Sequence, residues 1–399
     1  MMKLFFTTWL SIVCFQVQGQ TIRPAVLVIG NGNAAAAAAI QAAVSGVKTT
    51  ILLQAGGFDI NPIADDINSG LQADFFKKIN VAKGIKDSLV ISSFDKKLAN
   101  EVLSKWTDSV KNLTVIRNVL WTKADRSGNN WSFKLSDGKT IKSPVLIISS
   151  DPKLQSALEI KSFPTIFETV LTYANTLHRT SISSGKLINS NTASVFSMYN
   201  LFIPDQENLL WLRGDEGMLM GQAAGATAAY ASFFGKKTSE ANLKIIQGEL
   251  INYKLALMPF SDIKQNDANW KAIQFVGVTG VIKASIEQRN AQFLPDKLVT
   301  IEEIKQPIKD FYYKAQIWFD DYKRSDLTLQ AAIDLVCYVG NKSPESTPKE
   351  LEKKWKTSYK FSSSFNLSRQ ITRREFAVIL QDYMPPFNVN VDKNGKVVR

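Results

Sequence analysis

AVLVIGNGNAAAAAAIQAAVSGVKTTILLQ, residues 25–54, is the stretch that decides how the rest of this chain is read. Residues 25–29 are apolar and of the right length for a buried strand; a glycine turn follows, then an alanine-rich helix, then a second apolar run at 50–53. Strand, turn, helix and strand in that order open a dinucleotide-binding α/β fold. Gly30 permits the tight turn out of the strand. Gly32 leaves room for a pyrophosphate against the backbone, and Ala35 holds the third position, where a small side chain lets helix and strand pack closely. Asn33 belongs to the same turn. The start of the helix offers unpaired N–H groups and a partial positive charge to phosphates, so no lysine is required.

What precedes this unit predicts the compartment. Residues 1–20 place Lys3 ahead of an apolar run over 4–15, with Val17 and Gly19 near its end. That is the pattern of a secretory signal peptide over 1–19, cleaved before Gln20. The run is shorter than the roughly 20 apolar residues of a membrane-spanning helix, and no later stretch meets that requirement. Cys14 follows Val13 and has Ser11 three residues upstream, against a lipoprotein box. Loss of the leader leaves Cys337 as the only cysteine, so no internal disulfide is expected and stability must come from burial. With no twin arginine in the leader, a Sec-type route delivers the chain unfolded to the periplasm, cell surface or exterior. Any cofactor is then acquired outside the cytoplasm.

The 399 residues leave room for two or three domains, and 45% hydrophobic content suits folded structure throughout. The formal charge of +12 is diffuse, with a denser basic stretch over 342–374. For an exported chain this points to anionic polysaccharide or a membrane surface rather than nucleic acid, or simply to a solvated basic surface. A single histidine, His178, and a single remaining cysteine argue against a zinc site, a Ser-His-Asp triad or a Cys-His pair. Chemistry here would depend on a cofactor.

Farther along, helical periodicity over 97–110 leads to a short strand at 114–116. Two runs at 131–134 and 140–142 flank the turn Ser136-Asp137-Gly138, a hairpin signal, and an apolar strand over 144–149 ends at Ser150-Asp151. Another buried strand, NLLWLRGD at 208–215, ends in Gly214-Asp215 and is followed by EGMLMGQAAGATAAY over 216–230. Gly217, Gly221 and Gly225 recur every four residues and share one helix face, which can approach another backbone closely.

These three blocks, 26–54, 137–151 and 208–230, resemble the secreted FAD-dependent oxidoreductases of bacteria, with their glutathione-reductase-like FAD fold. The resemblance implies that Gly30, Gly32, Asn33 and Ala35 surround the FAD pyrophosphate. It implies that Gly214 and Asp215 meet the ribityl chain, and that the helix near Gly217 directs its positive end at the flavin pyrimidine oxygens. Gly221, Gln222 and Gly225 would line that approach, with Gln54 and Asp151 completing the cofactor set. Three departures stand out: Gln54 replaces the acidic residue that accepts ribose hydroxyls, the following loop reads Ala55-Gly56-Gly57-Phe58, and the substrate segment over about 152–195 is truncated. Either the site is open to large substrates, or the chain keeps the fold after losing its chemistry.

From about Pro259 the text changes. Phe260-Ser-Asp262, a Trp270-led helix, Gly277 and Gly280, Phe293-Leu-Pro295 and Thr300-Ile-Glu-Glu303 follow in the order of an S-layer homology domain, which they resemble. Ser261 or Asp262 is expected to cap the first helix, Gly277 and Gly280 to break it, and Thr300 with Glu303 to form a capping box. A poorer second copy runs through 327–340 to 371–377, where Thr372 and Glu375 repeat the box. By the resemblance, Arg373 stands at the position of a basic residue that binds cell-wall polysaccharide; a helical packing or dimerisation appendage is the other reading. The tail over 392–396 reads as a hairpin or a frayed end. The expectation is thus an α/β protein with a FAD/NAD(P)-binding Rossmann-like domain (20–258), a β-hairpin insertion, and a helical module (259–399). Its function is either FAD-dependent redox of an unidentified substrate or non-catalytic binding by a retained nucleotide fold.

Overall fold

The computed structural model describes residues 20–60, 68–85, 94–149, 151–161, 169–187, 192–212 and 217–398. The leader and its cleavage site lie outside the described residues, as do Gly214 and Asp215.

After β1 (Thr21–Ile22) the chain enters β2 (Val26–Ile29), α1 (Asn33–Val44) and β3 (Thr49–Leu53), the unit expected from the opening stretch. Two helices, α2 (Gly70–Ala82) and α3 (Lys96–Ser109), lead to β4 (Leu113–Arg117). An antiparallel meander of β5 (Trp121–Ser127), β6 (Asn130–Leu135) and β7 (Thr140–Ser143) precedes β8 (Val145–Ser149). The short helix α4 (Pro152–Ala157) follows, then a small antiparallel sheet of β9 (Thr169–Val170), β10 (Ser181–Leu187) and β11 (Thr192–Ser197). This half closes with β12 (Leu209–Leu212) and α5 (Met218–Phe233).

Strands β12, β8, β2, β3 and β4 lie side by side in that order, and every pairing is parallel. Parallel strands covered on both faces must be apolar throughout, and β2 and β3 are buried at every residue. The strand order reverses direction at β2, whose neighbours are β3 on one side and β8 on the other. Open sheets of this Rossmann type bind ligands in the crevice beyond the carboxyl ends of the strands at that reversal. The expected hairpin is the β6–β7 pair within the meander, which β1 extends to a four-stranded sheet around buried Trp131 and Phe133.

Helices α1 and α5 touch backbone to backbone. A Cβ added to Gly221 would fall on the Ala34 carbonyl oxygen, and one added to Gly225 on that of Ala38. The match advances four residues along both helices together, so they run parallel.

The second half contains α6 (Leu243–Asn252), α7 (Trp270–Thr279), a hairpin of β13 (Ser285–Glu287) and β14 (Asn290–Gln292), and helices α8 (Ile301–Phe311), α9 (Ala315–Asp321), α10 (Leu329–Gly340), α11 (Thr347–Thr357) and α12 (Arg373–Tyr383). Asn269, not Ser261 or Asp262, occupies the cap position of α7. Asp262 instead accepts from the N–H groups of Phe293 and Leu294 at 2.8 and 2.7 Å, tying the Phe-Leu-Pro turn to the start of the module. Gly280 ends α7 with φ of 73°, whereas Gly277 sits inside the helix beneath the Phe260 ring. Thr372 and Glu375 form a full capping box; Thr300 makes only its own half, because Glu303 pairs with Arg373.

A third Thr-capped start, Thr328, was not separated in the sequence. The segments before α8, α10 and α12 pair with one another in a ring, through Leu298 with Thr372, Thr300 with Asp326, and Thr328 with Gln370. Three helices therefore fan out from one hub. The final residues are tied down: Thr176 donates to the Asn394 carbonyl at 2.6 Å, and the buried Arg179 reaches the Gly395 carbonyl at 3.4 Å and the Thr279 carbonyl at 2.8 Å. One continuous apolar core includes both Val26 and Phe387, so residues 258 and 259 do not mark a gap in packing. Among the described residues no helix is long and apolar enough to cross a membrane.

The α1–α5 contact sets a stability test. Gly221→Ala forces a methyl into the Ala34 carbonyl and should lower unfolding free energy by about 1–3 kcal/mol. Gly248→Ala, inside α6 with nothing within 4 Å of the new Cβ, should raise it by about 0.5–1 kcal/mol. Urea titration of both variants against the parent measures the two shifts, and equal effects would remove the close contact from the description.

Candidate functional site

The carboxyl end of the sheet, where β2, β3 and β8 finish, receives the starts of two buried helices. Gly32 is the N-cap of α1 and Gly217 the N-cap of α5; neither helix has a side-chain cap or an acidic residue in its first turn. Helices α3, α4, α6, α8, α10 and α12 are each capped by an Asp, Asn or Thr side chain, whereas α2, α7, α9 and α11 also lack a side-chain cap. Neither α1 nor α5 is closed at its start by a side-chain cap, and their two partial positive charges stand side by side. Gly30 takes φ of 151°, and a Cβ there would come 2.7 Å from the Ser149 Cβ and 3.1 Å from that of Ala35. The turn thus has room for glycine alone, and the small Ala35 is part of the same fit. Asn33 is 8% exposed on the first turn of α1.

Two expected residues from distant parts of the chain meet beside this turn. Gln54, just past β3, donates from Nε2 to Asp151 Oδ2 at 3.3 Å. The other oxygen of Asp151 caps α4 by accepting from Lys153 and Leu154 N–H groups at 3.0 and 3.1 Å. The altered loop after β3 folds back onto the glycine turn, with the Asp59 N–H donating to the Asn31 carbonyl at 2.9 Å. Asn100 of α3 fixes that loop by accepting from the Phe58 N–H at 2.7 Å, and a Cβ on Gly57 would strike its side chain.

Gly221, Gln222 and Gly225 do not line the approach as expected. The two glycines are used up in the contact with α1. Gln222 is fully buried in the second turn of α5, accepts from the Leu71 N–H at 2.8 Å and donates to Gln41 Oε1 at 2.9 Å. Their residue types are explained by close helix packing and by a buried amide relay. Gly217, one turn earlier, is the member of the series that stays at the helix mouth.

His178 is 4% exposed beneath Gly280, where a Cβ would come 2.5 Å from its Nε2. Burial, with Arg179 and Lys283 nearby, pushes its pKa down to about 3, so it is a neutral core residue. Arg373 is 5% exposed; it pairs with Glu303 at 2.8 Å and donates to the Phe293 carbonyl at 2.7 Å, which turns it inward rather than toward a polymer. No group of metal-ligating residues occurs among the described residues. A cleft of about 510 Å³ lined by Asp125, Arg126, Trp131, Glu159, Lys161 and Asp205 lies on the meander, and none of the glycine-turn residues borders it. One residue at the helix mouths was missed: Gln72 of α2, fully buried near Gly217. Its helix follows residues 61–67 and carries no glycine motif, so nothing in the text drew attention to it.

No protein-family model matches the sequence, and no curated protein matches it. Some solved structures are similar to part of this chain. The thioredoxin reductase of T. acidophilum is 17% identical, over 32% of this chain and 35% of its own, with a TM-score of 0.22. The p-nitrophenol 4-monooxygenase of Pseudomonas putida DLL-E4 is 12% identical over 59% of this chain and 85% of its own, with a TM-score of 0.33. For the anhydrotetracycline hydroxylase of Streptomyces rimosus the values are 11%, 58%, 66% and 0.32. The chain spans about a third of the reductase's length.

His178 supplies a pH test. Its folded pKa of about 3 lies below the ordinary 6.5, so between those values the unfolded chain binds a proton that the folded one does not. Stability should therefore fall as pH drops from 6.5 to 3 and lose this dependence below 3. Denaturant midpoints across that range should show a shallower slope for His178→Asn than for the parent; parallel slopes would contradict a neutral, buried imidazole.

Proposed function

We propose that the protein is an exported FAD-dependent oxidoreductase acting at the periplasm or cell surface on a substrate admitted by its short 152–195 segment. The observation that carries this reading is the paired, uncapped starts of α1 and α5 at the reversal point of the parallel sheet. A dinucleotide diphosphate needs convergent N–H donors and positive charge without a Cβ in the way, and the glycine-rich start of α1 offers both. Gln54 and Asp151 fit the adenosine ribose: with Nε2 held by Asp151, the Gln54 carbonyl oxygen is turned to accept a hydroxyl. When bound, the flavin supplies two-electron redox chemistry, and the protein's part is to hold, orient and shield it. Loop 55–60, pinned by Asn100 and the Asn31 carbonyl, supports the glycine turn from the side.

A second reading has its own observation. The acid expected at the end of β3 is replaced by Gln54, whose amide is spent on Asp151, and His178 is buried far from the turn. This favours a non-catalytic protein that keeps the nucleotide fold and binds through its helical module. In that module an anionic cell-wall polysaccharide would meet the exposed Lys342, Lys349, Lys353, Lys356 and Lys360 rather than Arg373.

Titration of the protein with FAD, followed by flavin fluorescence, tests the reading. The wild type should bind at micromolar FAD, and Gly32→Val should abolish binding while far-UV circular dichroism is unchanged. Gln54→Glu alone places a second carboxylate 3.3 Å from Asp151, so tighter binding should appear only when Asp151→Asn accompanies it. A wild type that binds no FAD leaves the binding-protein reading in its place. That reading expects salt-sensitive retention on cell-wall polysaccharide, weakened by Lys349→Glu with Lys353→Glu and unaffected by the inward-facing Arg373.

A further inference from the structure

Beside the start of α5 stands a buried side chain with nothing to bond. Gln72, on the first turn of α2, is fully buried, and neither its Nε2 nor its Oε1 has a hydrogen-bond partner among the described residues. Its Oε1 lies 3.8 Å from the position a Cβ on Gly217 would take, at the mouth of α5. Buried amides are almost always bonded, because one left unmet keeps the full cost of leaving water. The two other buried glutamines nearby show the contrast. Gln222 bonds the Leu71 N–H, Gln41 and the Tyr253 carbonyl, and Gln41 passes the relay to Ser45. The Leu71 bond also anchors the first turn of α2 against α5, so Gln72 is held where it is.

An unmet amide donor, an unmet amide acceptor and the start of a sixteen-residue helix that has no side-chain cap therefore meet at one point. A phosphate or carboxylate would satisfy the N–H groups but has no proton to give Gln72 Oε1. A cyclic imide has two carbonyl acceptors on either side of an N–H donor and meets all three. Within FAD the imide is the pyrimidine edge of the flavin ring. We propose that Gln72 is a positioning residue that reads this edge, its Nε2 donating to one ring carbonyl and its Oε1 accepting from the ring N–H. The N–H groups at the start of α5 take the other carbonyl. The inference rests on the FAD reading above and adds to it a residue that selects flavin over other nucleotide bases.

Gln72→Met keeps the shape and removes the polar atoms. The full chain and this variant are titrated with FAD, FMN and ADP, and their melting temperatures are measured without ligand. The FAD and FMN dissociation constants should each rise about tenfold in the variant, the net loss of two modest hydrogen bonds, while the ADP constant stays unchanged. The melting temperature without ligand should rise, because an unmet buried amide has been removed. A structural role for Gln72 would give the opposite, a lower melting temperature, and overturns the proposal. Unchanged FAD affinity in the variant overturns it too, as does a matching loss of ADP, which would assign Gln72 to adenine. A wild type that binds neither FAD nor FMN removes the FAD reading itself and this inference with it.

Discussion

Two helices whose backbones touch govern the geometry of the α/β half. Side chains ordinarily hold helix axes 8–10 Å apart, and only a run of glycine against alanine lets a carbonyl of one helix rest where the Cβ of the other would be. Gly221 against Ala34 and Gly225 against Ala38 are that run. The contact fixes the two helices parallel and in register, which brings both N-termini to the same height above the sheet. It also seals the polar residues between them, so Gln41 and Gln222 must bond one another. Alanine is the best intrinsic helix former, so α1 can be all but featureless and still be a stable element. The charge and hydrogen-bonding capacity at the carboxyl end of the sheet follow from this packing.

The helical module obeys a different constraint. Its three capping threonines, Thr300, Thr328 and Thr372, sit where short extended segments pair in a ring, so each helix start is braced by its neighbours. Charged residues beside the hub are consumed in it: Arg373 by Glu303 and Phe293, Arg374 by Asp267, Arg369 by Glu375. Buried pairs of this kind are costly to break from one side, which makes these arginines structural struts. The exposed lysines of α11 carry the outward charge instead.

Much of the fold was legible because period and turn chemistry agreed. The opening strand–helix–strand unit, the hairpin, the strand before Asp151 and the Gly-rich helix after β12 fell within a few residues of their expected places. The meander's β5 and the helix α2 were not legible: neither has a clean period, and both are stabilised by neighbours distant in sequence. The turn at Gly30 and the helix starts at Gly32 and Gly217 were legible because glycine at a turn or a helix mouth leaves a local signature. Sequence reading misassigned Gly221, Gln222 and Gly225, since a small residue that makes room for a ligand and one that makes room for a helix look the same in text. Gln72 left no signature at all. An unmet hydrogen bond is a property of its surroundings, and those exist only once α2 has docked on α5. Arg373 erred for a similar reason: its basic character was plain, but Glu303 opposite it was not.

The last residues of the chain have a role out of proportion to their length. Gly395 sits so close to the Thr176 carbonyl that no Cβ would fit, Arg179 bonds both it and Thr279, and Phe387 meets Phe275 edge to face with ring centroids 4.5 Å apart. Residues near 180, which link β9 to β10, are therefore finished by residues near 390. Arg179 and Gly395 stand 216 residues apart in sequence, so this part of the interior closes against the entropy of a very long loop, and local contacts alone do not complete it.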